Sequence, residues 1–171
     1  MSMSRAMKVA GIVRDAGGRV VGRTRLQKIA YLLTVVGLED GLAFSYKHYG
    51  PYSDELANAA RMANLFGDVR EIEQAASWGG TYSVYSVNVD VSCDLENPRK
   101  AFARLASQAD AVELELAATA VFLASEGFAE PWKETIRRKP EKADDSRIEN
   151  AKALLQKLSE VATPRQLPRF A

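Results

Sequence analysis

The chain has 171 residues, 47% of them hydrophobic and 26% charged, with 23 lysines and arginines against 22 aspartates and glutamates. That length suffices to bury a real core, and that composition excludes a disordered or low-complexity protein. The net charge of +1 excludes a whole-molecule field that would draw the chain onto nucleic acid or an anionic membrane, so any such contact has to come from a local patch. A single cysteine, Cys93, forms no intramolecular disulfide, and residues 1–8 lack the apolar core of a signal peptide. The longest apolar runs, residues 29–33 and 117–124, fall far short of the ~20 residues of a spanning helix. The expectation is a cytoplasmic protein with no membrane span.

Ala6, Val9, Ile12, Val13 and Ala16 recur at helical spacing over residues 5–16, and Gly17-Gly18 supplies a positive-φ stop. After the extended Arg19-Val20-Val21-Gly22, Thr24 stands three residues ahead of Gln27, the spacing of a capping box, and predicts a second helix over 25–36. Leu26, Ile29, Ala30, Leu33 and Val36 line one face of it and Leu32 and Val35 another, so most of its circumference calls for burial. It reads as the central helix. Pro51 and Ser53 introduce a third helix over 54–66, with Asp54 and Glu55 in the first turn, where the helix dipole favours acids, and Gly67 after it. The period then falls to two. Residues 69–75 and 81–90 alternate about a Trp78-Gly79-Gly80 turn and predict a β-hairpin. Three helices followed by a hairpin is the order of a winged-helix domain.

From Asn97 the pattern is helical again, with Asn97 as cap and Pro98 at the first helical position. Asp110, three ahead of Glu113, opens a strongly apolar helix through Leu114, Leu116, Ala117, Ala120, Val121, Leu123 and Ala124, closed by Gly127. A short helix covers 132–138 and ends at Pro140, and residues 141–145 form a charged loop. The last helix starts from Ser146 with Glu149 in capping position, and sets Ile148, Ala151, Leu154, Leu155, Leu158 and Val161 on one stripe. The fold class is therefore mainly α, with an α+β portion. A winged-helix-like part spans 1–95, a helical part spans 96–162 and packs on it as one compact unit, and 163–171 is a flexible tail.

Two stretches carry a family signature: Gly22-Arg23-Thr24-Arg25-Leu26-Gln27-Lys28-Ile29-Ala30-Tyr31-Leu32-Leu33 and Tyr49-Gly50-Pro51-Tyr52-Ser53-Asp54-Glu55-Leu56. They resemble the YwgA-like uncharacterised proteins of bacteria and archaea, and the likeness continues at Arg138-Lys139-Pro140 and residues 148–155, covering most of the chain. More distantly, the helix with Leu26-Gln27-Lys28 and Tyr31, followed by the Tyr49-Gly50-Pro51 turn, is similar to the SocA-like, or Panacea, antitoxin domain. The YwgA-like resemblance implies no activity. The antitoxin resemblance implies a protein-binding class, antitoxins and at least one proteolytic adaptor, and names neither a partner nor functional residues.

Lys28 sits on a mostly apolar helix and has to snorkel or find acceptors, and the Gly50-Pro51 turn offers free carbonyls. Two readings follow. Either Lys28 clasps the 49–53 turn as a structural device, or Tyr46, Lys47, His48, Tyr49 and Tyr52 form an exposed aromatic and cationic rim for a protein partner, with Arg23 and Arg25 beside it. A rival class is a nucleic-acid-binding winged-helix regulator using the first two helices, since residues 1–50 carry eight bases against three acids. The third helix, which would present Asp54, Glu55, Asn58, Arg61 and Asn64, argues against groove reading, because its two first-turn acids repel phosphate more than Arg61 attracts it, and the hairpin sets Arg70 against Glu71 and Glu73. An enzyme has little support: His48 and Cys93 are single members of their kinds without a local signature, and neither a phosphate loop nor metal-ligand spacing occurs. No catalytic residue, metal or cofactor is expected. Glu113 and Glu115 are explained by capping and dipole, Glu115 calling for an internal partner, and Trp78 and Trp132 read as packing residues. The favoured expectation is a non-enzymatic protein-interaction or regulatory module of the antitoxin or adaptor kind.

Overall fold

The computed structural model describes residues 4–88 and 97–171. In chain order the elements are α1 (Arg5–Asp15), β1 (Arg19–Val21), α2 (Arg23–Val35), β2 (Ser45–Lys47), β3 (Gly50–Tyr52), α3 (Asp54–Phe66), β4 (Arg70–Ala75), β5 (Thr81–Ser86), α4 (Pro98–Gln108), α5 (Ala111–Ser125), α6 (Pro131–Arg138) and α7 (Asp145–Ser159). The fold is mixed α and β, with helices dominant. Among the described residues, no helix is long and apolar enough to cross a membrane.

Short polar side chains start most of the helices by satisfying free first-turn amides. Ser53 accepts from the Leu56 amide, Asn97 from Lys100, and Asp110 from both Val112 and Glu113. Three expected caps differ. The helix predicted from Thr24 begins at Arg23 behind Gly22, which has no side chain to cap it, and Gln27 is used elsewhere. Glu113 does not close a capping box but accepts from the Asn150 side chain. Asp144, not Ser146, caps α7, because its carboxylate lies one residue outside the helix and reaches the Arg147 amide at 2.9 Å.

Among the described residues, five strands make two antiparallel sheets. In the first, β5 lies between β1 and β4, with Val20 opposite Tyr85 and Ile72 opposite Val84. The extended segment after α1 is thus a third strand on the predicted hairpin. Residues 89 and 90 of that hairpin, and Cys93, lie outside the described residues. The second sheet is a two-stranded ribbon of β2 and β3, with Tyr46 opposite Pro51. Its strands are too short to show an alternating pattern, so the sequence reads there as a turn.

One hydrophobic cluster joins the seven helices of the described residues, from Val9 and Ile12 in α1 to Leu154 and Leu158 in α7. Residues 26–33 of α2 are buried without a break, as its two apolar faces require, and α5 is buried from Leu114 to Val121. Trp132 is 6% exposed and packs on Phe170. The tail, read as flexible, is held instead. Arg165 donates its amide to the Val36 carbonyl and its guanidinium to those of Thr34 and Val35, capping the end of α2, and Leu167 is buried.

Gly50 marks the tightest approach of the ribbon to α5. Its φ is 91°, and a Cβ there would collide with the Thr119 hydroxyl. Gly50→Ala is expected to lower unfolding free energy by about 2–4 kcal/mol, the sum of backbone strain and overpacking. Urea denaturation checks it, and the loss should shrink when Thr119→Ala is added.

Candidate interaction surface

Lys28 answers the first question the sequence raised. It is 1% exposed, and its ammonium donates to the Pro51 carbonyl at 2.7 Å. Beside it, the Gln27 amide brackets one residue: its Nε2 donates to the Ser53 carbonyl at 2.9 Å and its Oε1 accepts the Ser53 amide at 2.8 Å. Burial, opposed by the Glu115 carboxylate and reinforced by the Lys139 and Lys142 ammonium groups, lowers the Lys28 pKa from 10.5 to about 7. Glu115, 3% exposed, has its internal partners in Lys139 at 2.9 Å and Lys142 at 3.0 Å. Lys139 also donates to the His48 carbonyl at 3.1 Å. Two lysines therefore hold the ribbon through its carbonyls, and one carboxylate faces three ammonium groups. The Thr119 hydroxyl is the one buried side-chain polar atom without a partner among the described residues.

The expected rim is only partly assembled. Arg25 turns away from it, donating to the Val21, Ser107 and Ala109 carbonyls and so closing the C-terminal end of α4. Arg23 reaches Ser83, Glu71 and Glu73 on the three-stranded sheet. Tyr46 is half-buried against Phe122, with the Arg138 guanidinium 4.8 Å from its ring centroid. Lys47 pairs with Asp54 at 2.9 Å and lies 4.9 Å from the centroid of the half-buried Tyr52 ring. His48 is exposed, and Tyr49 is 55% exposed with the Lys142 ammonium 4.7 Å from its ring. Much of the cation–π potential of this rim is thus spent within the chain.

A different surface was missed. Leu56, Ala59, Ala60 and Ala63 bury one side of α3, and the opposite side exposes Met62 at 42%, Leu65 at 74% and Phe66 at 65%. These three stand at i, i+3 and i+4, so they form one stripe. The signal was present in the sequence. Once four small or apolar residues account for the buried face, a helical wheel leaves Met62 and Leu65 on the outside. Trp78, read as a packing residue, is instead 74% exposed at the β4–β5 turn, its ring 6.4 Å from Tyr82.

The basic excess of the first 50 residues is largely committed. Arg5 pairs with Glu55, Lys8 with Asp40 at 3.0 Å and Arg14 with Asp15 at 3.2 Å. Arg23 and Lys47 are paired as above, and Arg25 and Lys28 serve carbonyls. Arg99 from α4 adds a second base on Asp15 at 2.7 Å.

Compared with family models, curated proteins and solved structures, the chain matches none.

The Lys28 shift sets a pH dependence. Below pH 7 both folded and unfolded chains hold the proton; between 7 and 10.5 the unfolded chain holds protons that the folded one has released, so stability rises with pH there. Wild type should gain on the order of a few kcal/mol over Lys28→Met between pH 7 and 10, measured by urea unfolding at each pH. Parallel profiles would contradict the burial of this ammonium.

Proposed function

We propose that this protein is a non-enzymatic protein-interaction module of the antitoxin or adaptor kind, built on a winged-helix-like N-terminal part, with the outer face of α3 as its main contact surface. The winged-helix reading is supported by the order α1, β1, α2, α3, β4, β5 and by a sheet in which β5 lies between β1 and β4. In such a unit α3 is the helix that would meet a ligand.

The observation that carries the reading is the chemistry of that helix. A helix that reads nucleic acid presents cations and hydrogen-bonding side chains to phosphates and base edges. Here the first turn carries Asp54 and Glu55, and the outer face sets one cation, Arg61, and Asn58 beside the exposed Met62, Leu65 and Phe66. Exposed methionine, leucine and phenylalanine in one stripe gain free energy only by leaving water, which a protein partner provides. The ion pairs of Arg5, Lys8, Arg14 and Arg23 leave little free charge for the rival phosphate-binding mode. The β2–β3 ribbon, through His48 and Tyr49, supplies a secondary rim.

A native pull-down with wild type and with the exposed triple variant Met62→Ser, Leu65→Ser, Phe66→Ser tests this, followed by calorimetry with each captured protein after purification. Each anchor of such a patch is worth about 1 kcal/mol or more, so the triple variant should bind the purified partner at least about tenfold more weakly with its circular dichroism unchanged. Equal binding by the two, or a salt-steep shift of duplex DNA by wild type, would overturn it.

A further inference from the structure

Between α2, α3 and the strands β4 and β5 lies a cleft of about 110 Å³. Arg23, Arg61 and Glu71 supply its charges, Tyr52 and Tyr85 its rings, and Ala57 and Ala60 the small side chains that leave the space open. Pockets for cofactors and drug-sized ligands run to roughly 300–1,000 Å³. This one is far smaller, of the size that receives a single side chain rather than a whole ligand.

Its charges are unequally satisfied. The Glu71 carboxylate accepts from Ser83 Oγ at 2.6 Å and from the Arg23 guanidinium at 3.3 Å, and Arg23 also reaches Glu73 at 3.2 Å. Those four groups complete one another. Arg61 stands apart: its guanidinium donates to the neutral Asn58 side chain, and no ion pair joins it to a carboxylate among the described residues. Arg23 is answered by Glu71 and Glu73, so the guanidinium that faces no carboxylate at the cleft is that of Arg61, an open donor fork. The acceptor that matches such a fork best is a carboxylate, bound through two parallel N–H donors.

The position of Arg61 on the helix identifies where that carboxylate comes from. Leu65 stands one turn further along on the same side of α3, exposed, and Met62 continues the stripe beside it. A group that reaches Arg61 from outside therefore has the apolar stripe for its neighbour. We propose that the cleft receives the side chain of a glutamate or aspartate, flanked by apolar residues, on the protein partner that covers α3. This rests on the protein-interaction reading and names the partner's chemistry. The acid fixes register in the cleft, and its apolar neighbours cover Met62 and Leu65.

The test is a ¹⁵N NMR titration of the full chain at fixed ionic strength with three probes: acetyl-Leu-Glu-Leu-amide, acetyl-Leu-Gln-Leu-amide and N-acetylglutamate. The Glu peptide is expected to move the Arg61 Nε–H and the Ala57, Ala60 and Met62 amides in a saturable way. The Gln peptide should bind up to about fivefold more weakly, the range of a partly exposed ion pair, and Arg61→Gln should abolish the difference. Absence of shifts at these positions, or equal binding of the Glu and Gln peptides, overturns the cleft assignment and leaves the α3 stripe to its own pull-down. N-acetylglutamate binding as tightly as the Glu peptide overturns the partner segment in favour of a free small carboxylate.

Discussion

Gln27 and Lys28 place an amide and an ammonium in the middle of the most buried stretch of α2, and the 50–53 segment is the acceptor that makes this tolerable. Unpaired, either group inside a core would cost several kcal/mol. Paired, they join β3 and the first residue before α3 to the central helix through the Pro51 carbonyl and both backbone groups of Ser53. Ser53 then caps α3 through the Leu56 amide, so the same residue that is clasped also sets where α3 begins. Lys139 and Glu115 repeat the device from the C-terminal half, through the His48 carbonyl, and Gly50 lets α5 come close. The direction of the outer face of α3 is a consequence of this bonding.

Lysines in this arrangement are structural, which redistributes the surface. Arg25, Lys28 and Lys139 satisfy carbonyls, and Arg23 closes onto Glu71, so the cations that composition places in the first third of the chain are not available as a field. Among the most exposed large side chains are apolar ones: Leu65 and Phe66 near the end of α3, and Trp78 at the strand turn. On the proposed reading, these large apolar side chains on α3 are the surface that a protein partner would cover.

Much of this was legible in the residues, for reasons that can be named. Helices with two apolar faces, such as α2 and α5, announce their burial by pattern alone, and caps at Ser53, Asn97 and Asp110 coincide with where the chain turns helical. Patterns fail where a side chain has a distant partner. Thr24 and Gln27 have the spacing of a capping box, yet Gln27 is taken by Ser53, 26 residues away, and the helix starts without a side-chain cap. The tail carries no periodicity, so Arg165 reads as frayed until the open carbonyls at the end of α2 are set beside it. Arg23 and Arg25 are two residues apart in sequence and serve opposite sides of the fold, which no rim drawn along the chain could anticipate. The face of α3 is legible in the spacing of Met62, Leu65 and Phe66 once Leu56, Ala59, Ala60 and Ala63 account for the buried side.

The central claim is that the Lys28 ammonium is enclosed between α2, the ribbon and the Glu115 cluster. Following the ¹⁵Nζ resonance of Lys28 by NMR as pH is raised tests it at the atom concerned, with Lys28→Met identifying the signal. A midpoint near 7 is the expected result, because burial lowers the group to about that value. A midpoint near the ordinary lysine value of about 10.4 would place the ammonium in water and contradict the account.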